Sequence, residues 1–398
     1  MKNSSLTLYL EINSLSFVFF VGESDKYDNF KIVDKLELPL QNIHNNKITD
    51  LDEVASVFRK NIYIIEQKLK HTFKEIVLIL ENFELTFINF SGFKKLNGSQ
   101  ILNENITYIM NTLKSCVQDV EIKKTVLHIF NSKFYLDNKK IENIPIGLFG
   151  DFYSHELSFS LINKNDHKNL KSIFNNCNLK IKKILVKSFV EGVNLSDKNE
   201  NVNTFFQIKI NNNSSKIFYF ENNSLKFEHN FKFGSDVVIK DISKIISLEK
   251  NIVKIILEEI ILTKNILKDE TIDKKFFSDN NNRKIKKKLI YDIAFVRIKE
   301  ILDLILFTNI NFNYYSKFSK NIFLEISDKS HFKTFREIYE TTLFNNNCNN
   351  FNFIDNLSNE NMLNSAHKLV HFGWKKEAIP VAHYKKSLIA RFFEAIFG

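Results

Sequence analysis

Glycine is scarce in this chain, 9 in 398 residues, about 2% against a usual ~7%. No Gly-x-Gly occurs anywhere, which removes the unobstructed backbone approach that phosphate-cradling loops use. Each remaining glycine is therefore expected to be needed for its backbone. Cysteine is equally sparse: Cys116, Cys177 and Cys348 are odd in number, far apart and without CxxC spacing or histidine partners. That excludes a disulfide framework and a zinc site and suits a reduced cytoplasm. No stretch reaches the ~18 apolar residues a spanning helix needs, and "MKNSSLTLYLEINS" lacks a basic region followed by a long apolar run. The expectation is a protein neither exported nor transmembrane.

What is present is an apolar content of 44% and a charged content of 26%, the balance of a soluble globular protein, with an unusual Phe 40 against Trp 1. The length exceeds one ordinary core, so two or more domains are expected. The net charge of +10 invites a polyanion, yet it is spread along the chain rather than gathered with aromatics, so no nucleic-acid partner is expected. Ile, Asn, Lys and Phe crowd nearly every segment, so a single Lys or Asn carries little weight.

Alternating apolar and polar residues predict three strands in "LTLYLEIN", "LSFVFFVGE" and "FKIVDKLELPL". A helix follows, capped by Thr49 or Asp50, and then the strands "EIVLIL" and "FELTFINF". Further strands and helices lead to "QIKINNNSSKIFYF", a hairpin that opens a second three-strand unit near Asn203. Residues 236–308 read as mostly helical around a polar loop, followed by the strand "NIFLEIS" and two helices. Two such units, each followed by helices, predict an α/β architecture duplicated without a sequence repeat.

The segment "YKKSLIARFFEAIFG" predicts a short amphipathic helix. At ~100° per residue, Leu388, Phe392 and Ile396 share one side with Ile389, Phe393 and Phe397 beside them, while Arg391 falls opposite and Lys385 and Lys386 precede the run. Such a helix suits an anionic membrane surface; the plainer alternative is a terminal helix docked on the protein's own core. His367 and His371, four apart on one helix, have no acidic third ligand nearby and predict a solvated or interfacial face rather than a metal site. The run "RKIKKK" reads as a solvated loop end, and no Ser/His/Asp arrangement is readable.

Several stretches in this order resemble the FtsA family of bacterial cell-division proteins, actin-like adaptors that tie the FtsZ ring to the cytoplasmic membrane. They are "LYLEINSLSFVFFVGE", "VLHIFNSKFYLDNKKIENIPIGLFG", "NLKSIFNNCNLKIKKILVKSFVEG", "FQIKINNNSSKIFYFENNSLKFEHNFKFGSDVVIKDIS", "LNSAHKLVHFG" and the amphipathic tail. The resemblance implies a two-lobed actin-like fold. Its core subdomains would comprise 1–83, 165–200 and 358–375, and 201–235 with 319–357. An inserted subdomain would fall at 84–164, a helical one at 236–318, a tether at 376–384 and the membrane helix at 385–397.

The resemblance also implies partners: the acidic FtsZ C-terminal peptide, met by Arg297 of the helical subdomain, further copies of the chain, an anionic membrane, and downstream division proteins. It places the chain on the cytoplasmic face of the bacterial inner membrane at the division site. On the same correspondence the phosphate-binding positions are altered. Glu11 remains acidic, Asn13 stands where the family has glycine and Ser14 follows. Lys209 and Lys216 replace two carboxylates, Asn211, Asn212 and Asn213 replace glycines, and Ser214 keeps a hydroxyl. Ile326 and Ser327 replace a glycine pair.

Lysine does not ligate Mg²⁺, although it can meet a phosphate directly. Asparagine tolerates positive φ, so the turns are expected to persist without glycine. The expectation is a fold retained, no metal, no hydrolysis, and ATP binding weak or lost. Metal-free nucleotide binding through Lys209 or Lys216 is the competing idea. A PilM-like pilus-assembly adaptor and an actin-fold small-molecule kinase are the alternative functions.

Overall fold

The first sheet grows from a meander whose strands β1 (Leu6–Ile12), β2 (Ser16–Ser24) and β3 (Phe30–Pro39) pair antiparallel in sequence order. A two-residue hairpin, β4 (Ile43–His44) and β5 (Lys47–Ile48), leads to α1 (Leu51–Leu69). The Asp50 carboxylate caps α1 by accepting from the Glu53 N–H at 2.9 Å, and Val54, Phe58, Ile62 and Ile65 form its buried stripe. Strand β6 (Glu75–Leu80) then pairs parallel to β1. Covered on both faces, β6 reads as a continuous apolar run rather than an alternating one. The computed structural model describes residues 6–378 apart from 14, 25–29, 41–42, 45–46, 82, 200–201, 261–269, 277–283 and 320.

An inserted unit follows: β7 (Leu85–Lys95), α2 (Asn103–Val120), β8 (Lys124–Leu136), β9 (Lys139–Ile141) and β10 (Phe152–Asn163). Its four strands form an antiparallel sheet in the order β7-β10-β8-β9, and Ile106, Ile109, Leu113 and Val117 of α2 pack in one core with Leu157, Phe159 and Leu161. The chain returns through α3 (Lys164–Asn176) and β11 (Lys180–Val186), which completes the first sheet in the order β11-β6-β1-β2-β3, and continues into α4 (Lys187–Lys198).

The second lobe repeats this plan. Strands β12 (Phe205–Ile210), β13 (Ser215–Glu221) and β14 (Ser224–Phe231) form the meander, followed by α5 (Asp236–Ile246), α6 (Lys250–Glu259), α7 (Lys287–Leu302) and α8 (Ile310–Tyr315). Strand β15 (Ile322–Ile326), α9 (Lys329–Asn345) and β16 (Phe351–Ile354) complete it, and α10 (Asn359–His371) comes last. The sheet order is β14-β13-β12-β15-β16, with β15 parallel to β12 and β16 parallel to β15. Both sheets thus share one permutation and one set of strand directions. Strand β16 has no counterpart in the sequence reading, because its four residues sit in an asparagine-rich run that signals a loop.

Each lobe has its own apolar core, and a third cluster joins them. In that cluster Tyr9, Phe20 and Val77 of the first lobe meet Phe205, Phe218 and Phe220 of the second through Phe189 and Val190 of α4 and Leu363 and Ala366 of α10. His367 belongs to this interior, which corrects the expectation of a solvated or interfacial histidine face. It is 3% exposed, its Nδ1 lies 3.1 Å from the Tyr9 hydroxyl, and its ring centroid is 4.2 Å from that of His371.

Candidate functional site

The meander plan places two tight turns on the cleft side of the lobes, one after β1 and one after β12. In the first, Asn13 closes the turn with its own side chain: Oδ1 accepts from the N–H groups of Leu15 at 2.9 Å and Ser16 at 2.8 Å. The Asn13 N–H donates to the Ser16 carbonyl at 3.1 Å. These backbone donors are therefore spent within the turn. Ser14 lies outside the described residues.

In the second turn the Asn211 N–H donates to the Ser214 carbonyl at 2.9 Å. The carbonyls of Asn211 and Asn212 accept from the N–H groups of Ser235 and Asp236, each at 2.9 Å. Donors at the start of α5, where an anion could otherwise be held, are thus taken up by the turn itself. Gly234 makes this closure possible, because a Cβ there would fall 2.0 Å from the Asn211 carbonyl oxygen. None of Asn211, Asn212 and Asn213 has a positive φ. The turn persists without glycine, but not by the left-handed backbone expected of asparagine. That role falls instead to Asn222 and Asn223, φ 50° and 63°, in the next hairpin. Ser327 seals the turn from β15, its hydroxyl donating to Asn211 Oδ1 at 2.6 Å, while Ile326 is buried in the second core.

Between the turns lies a chain of ion pairs. Lys187, first residue of α4, reaches Glu11 of β1 at 2.7 Å and Glu81, just beyond β6, at 2.8 Å. Across the cleft, Lys209 of β12 stands between Glu191 of α4 at 2.8 Å and Glu325 of β15 at 3.1 Å. Lys209 and Lys216 are direct cross-strand partners, so both project to the same face. The like charges are separated by giving each its own carboxylate, since Lys216 pairs with Glu228 at 3.4 Å. The Ser188 hydroxyl donates to Glu228, adding a second link between lobes.

Burial works against the charge on Lys209, and Glu191 and Glu325 more than reverse it, holding its pKa above the usual lysine value. Lys187 is shifted upward in the same way, burial being overcome by Glu81, Glu11 and Glu191. Burial would raise Glu81, but Lys187, Lys216 and Lys209 pull its carboxyl down to about 2. For Glu325 burial wins over the attraction of Lys209, with Glu191 adding repulsion, and its carboxyl is pushed up to about 7. Four carboxylates and the partly protonated Glu325 face three ammonium groups here, so the network carries surplus negative charge. Beside it a cleft of about 690 Å³ opens between Glu81, Asn213, Ser214, Lys216 and Lys232.

No family model matches the chain. The cell division protein FtsA of Buchnera aphidicola subsp. Schizaphis graminum is 22% identical over 242 residues, which cover 61% of this chain. Among solved structures, a chain of the PilM–PilN type IV pilus biogenesis complex superposes with a TM-score of 0.53 at 9% identity, over 92% of this chain and 98% of that one. The chain has the actin fold and is similar to FtsA over part of its length. The match spans 57% of the length of the Buchnera protein.

Seen on this FtsA-like frame, the sequence-predicted residues divide into three groups. Glu11, Lys209, Lys216, Asn211, Asn212, Asn213, Ser214 and Ser327 gather around the cleft, with the Asn13 turn close by, since the Glu81 N–H donates to the Ile12 carbonyl at 3.0 Å. Arg297 stands apart on α7, where its guanidinium joins Asp241 of α5 and reaches Glu300 at 2.6 Å, so an acidic peptide would compete with both carboxylates. Lys385, Lys386, Leu388, Ile389, Arg391, Phe392, Phe393, Ile396 and Phe397 lie outside the described residues.

The sequence reading missed Glu81, Lys187, Glu191, Glu228 and Glu325. One signal could have found Glu325: "FFQIKI" and "IFLEI" are apolar strands with a single charge each, opposite in sign, and Lys209 and Glu325 are register partners. Lys376–Ala378, read as the start of the tether, belong instead to the fold. The Asn131 N–H donates to the Lys376 carbonyl and the Ala378 N–H to the Ile129 carbonyl, each at 2.7 Å, while Glu377 joins Lys183 at 2.7 Å and His128 at 2.8 Å.

Proposed function

We propose that this chain is a non-hydrolysing, actin-like cell-division adaptor whose interlobe cleft is held by its own ion pairs rather than by a nucleotide. The observation that carries this reading is Lys209, gripped between Glu191 and Glu325 from opposite sides of the cleft. A Mg²⁺-bound triphosphate requires free backbone donors, metal-binding carboxylates and compensating positive charge. Here the turn donors are spent and the carboxylates engaged, and surplus negative charge repels a polyanion. The residues present do not fit that ligand. Titration with a fluorescent ATP analogue, with and without Mg²⁺, tests this: no saturable binding up to millimolar concentration is expected, and micromolar affinity without metal overturns it.

The adaptor would join FtsZ, through its C-terminal peptide, to the cytoplasmic face of the inner membrane at the division site. Residues 385–397 would supply the membrane contact, self-association the avidity, and further division proteins the downstream partners. The FtsA likeness supports this reading. Among the described residues no helix is long and apolar enough to cross a membrane, so attachment would rest on the interfacial segment. Localisation of a fluorescent fusion separates division-site recruitment from recruitment to a pilus-assembly machine, the alternative that the PilM likeness brings to mind.

A further inference from the structure

The inserted unit carries an apolar ridge that its own core leaves uncovered. Leu102, Ile144, Ile146, Leu148 and Phe149 are all exposed, Phe149 to 70%. They stand on two segments locked together: the Ile101 N–H donates to the Leu148 carbonyl at 2.8 Å, and the Gly147 N–H to the Ile101 carbonyl at 2.9 Å. The Gln100 amide adds a bond to the Gly147 carbonyl at 2.8 Å, and Gly147 takes φ +87°, which lets the loop fold back. The side chains are thus held outward by a fixed backbone and have no route into the core. Such a ridge is a surface awaiting a partner.

The chain itself delivers a candidate to this place. Residues 376–378 pair with β8, and Ala378 enters the same core as Ile101. The Lys376 ammonium lies 3.4 Å from the Glu142 carbonyl, two residues before Ile144. Residues 379–387 extend at most about 30 Å, and residues 142–149 at most about 25 Å, so the segment beginning at Leu388 can reach the ridge. Exposed Glu104, Glu142 and Asp151 lie on or beside the two ridge segments and can meet Lys385, Lys386 and Arg391, although Lys139 and Lys140 on β9 add cations nearby.

We propose that the apolar side of residues 385–397 docks on the ridge formed by Leu102, Ile144, Ile146, Leu148 and Phe149 when no membrane is present. The tail is thereby stored on the inserted unit, and membrane binding is in competition with that storage. The proposal rests on the amphipathic reading of the tail and deepens its role as an anchor.

The test compares three full-length chains: wild type, the tail variant F392D/F393D, and the ridge variant L148D/F149D. Hydrogen exchange without lipid is expected to show slower exchange at 144–150 in wild type than in the tail variant, independent of protein concentration. With vesicles of phosphatidylglycerol and phosphatidylethanolamine, the ridge variant is expected to bind about tenfold more tightly than wild type, the gain when a tail docked nine-tenths of the time is set free. Equal exchange in wild type and tail variant overturns the proposal. Protection that rises with protein concentration also overturns it, because the ridge would then be covered by a second copy. Protection intact but vesicle binding absent in every chain leaves the docking standing and removes the membrane reading instead.

Discussion

The ammonium of Lys209 lies 2.8 Å from a carboxylate oxygen of Glu191, and the two residues come from opposite sides of the interlobe cleft. Lys209 sits on the central strand of the second sheet, whereas Glu191 sits on the helix that leaves the first. Glu325 holds the same ammonium from the neighbouring strand. One lysine therefore couples the position of α4 to both core strands of the second lobe, at the level where the two turns meet the cleft.

Replacing Lys209 by Met leaves Glu191 and Glu325 buried without their cation. A loss of about 3–5 kcal/mol is expected from stranding one side of a buried pair. Urea denaturation followed by the fluorescence of Trp374 measures it. The double variant K209M/E191Q is expected to recover part of the loss, and no recovery would show that the lysine acts through packing alone.

The raised pKa of Glu325 gives stability a defined pH dependence. Burial makes its carboxyl bind its proton more tightly in the folded chain than in the unfolded one, pushing its pKa from about 4.5 up to about 7. Its contribution is complete below about pH 4.5 and is lost as pH rises through about 7. Glu81, held at about 2, runs the other way and loses its contribution only as pH falls below about 4.5. Thermal melts from pH 5 to 8 should therefore show wild type losing stability relative to E325Q, by up to about 3 kcal/mol. A constant difference across that range would count against a titrating Glu325.

Gly234→Ala tests the closure of α5 over the second turn. The added Cβ meets the Asn211 carbonyl oxygen at 2.0 Å and that of Asn212 at 2.7 Å, and these cannot move without breaking the bonds they accept from Ser235 and Asp236, respectively. An expected cost of about 1–3 kcal/mol follows from overpacking against rigid atoms. A melting temperature equal to wild type would mean that the turn yields easily.

Truncation separates the strap from the tail. Ending the chain at Ala378 should abolish vesicle binding and lower the melting temperature only by the small contribution of the docked tail, about 1.4 kcal/mol. Ending it at Trp374 should also destabilise the protein, because it removes the two backbone bonds to β8 and the Glu377 pairs to Lys183 and His128. Equal melting temperatures for the two truncations would show that the strap adds nothing to the fold.

Local pattern alone was enough for much of this protein. Alternation in "LTLYLEIN" and its successors marks the meanders, Asp50 marks the start of α1, and the scarcity of glycine announces turns built by other means. These signals are short in range: a strand's period, a cap three residues from its amide, a missing Cβ. The tertiary structure decided what depends on residues distant in sequence. It brought Glu191 and Glu325 to Lys209, turned His367 inward against Tyr9, paired Arg297 with Asp241, and folded Lys376–Ala378 onto β8. A charge in a sequence shows its sign but not its partner, because the energy of an ion pair depends on distance and burial, and both are set only when the lobes close.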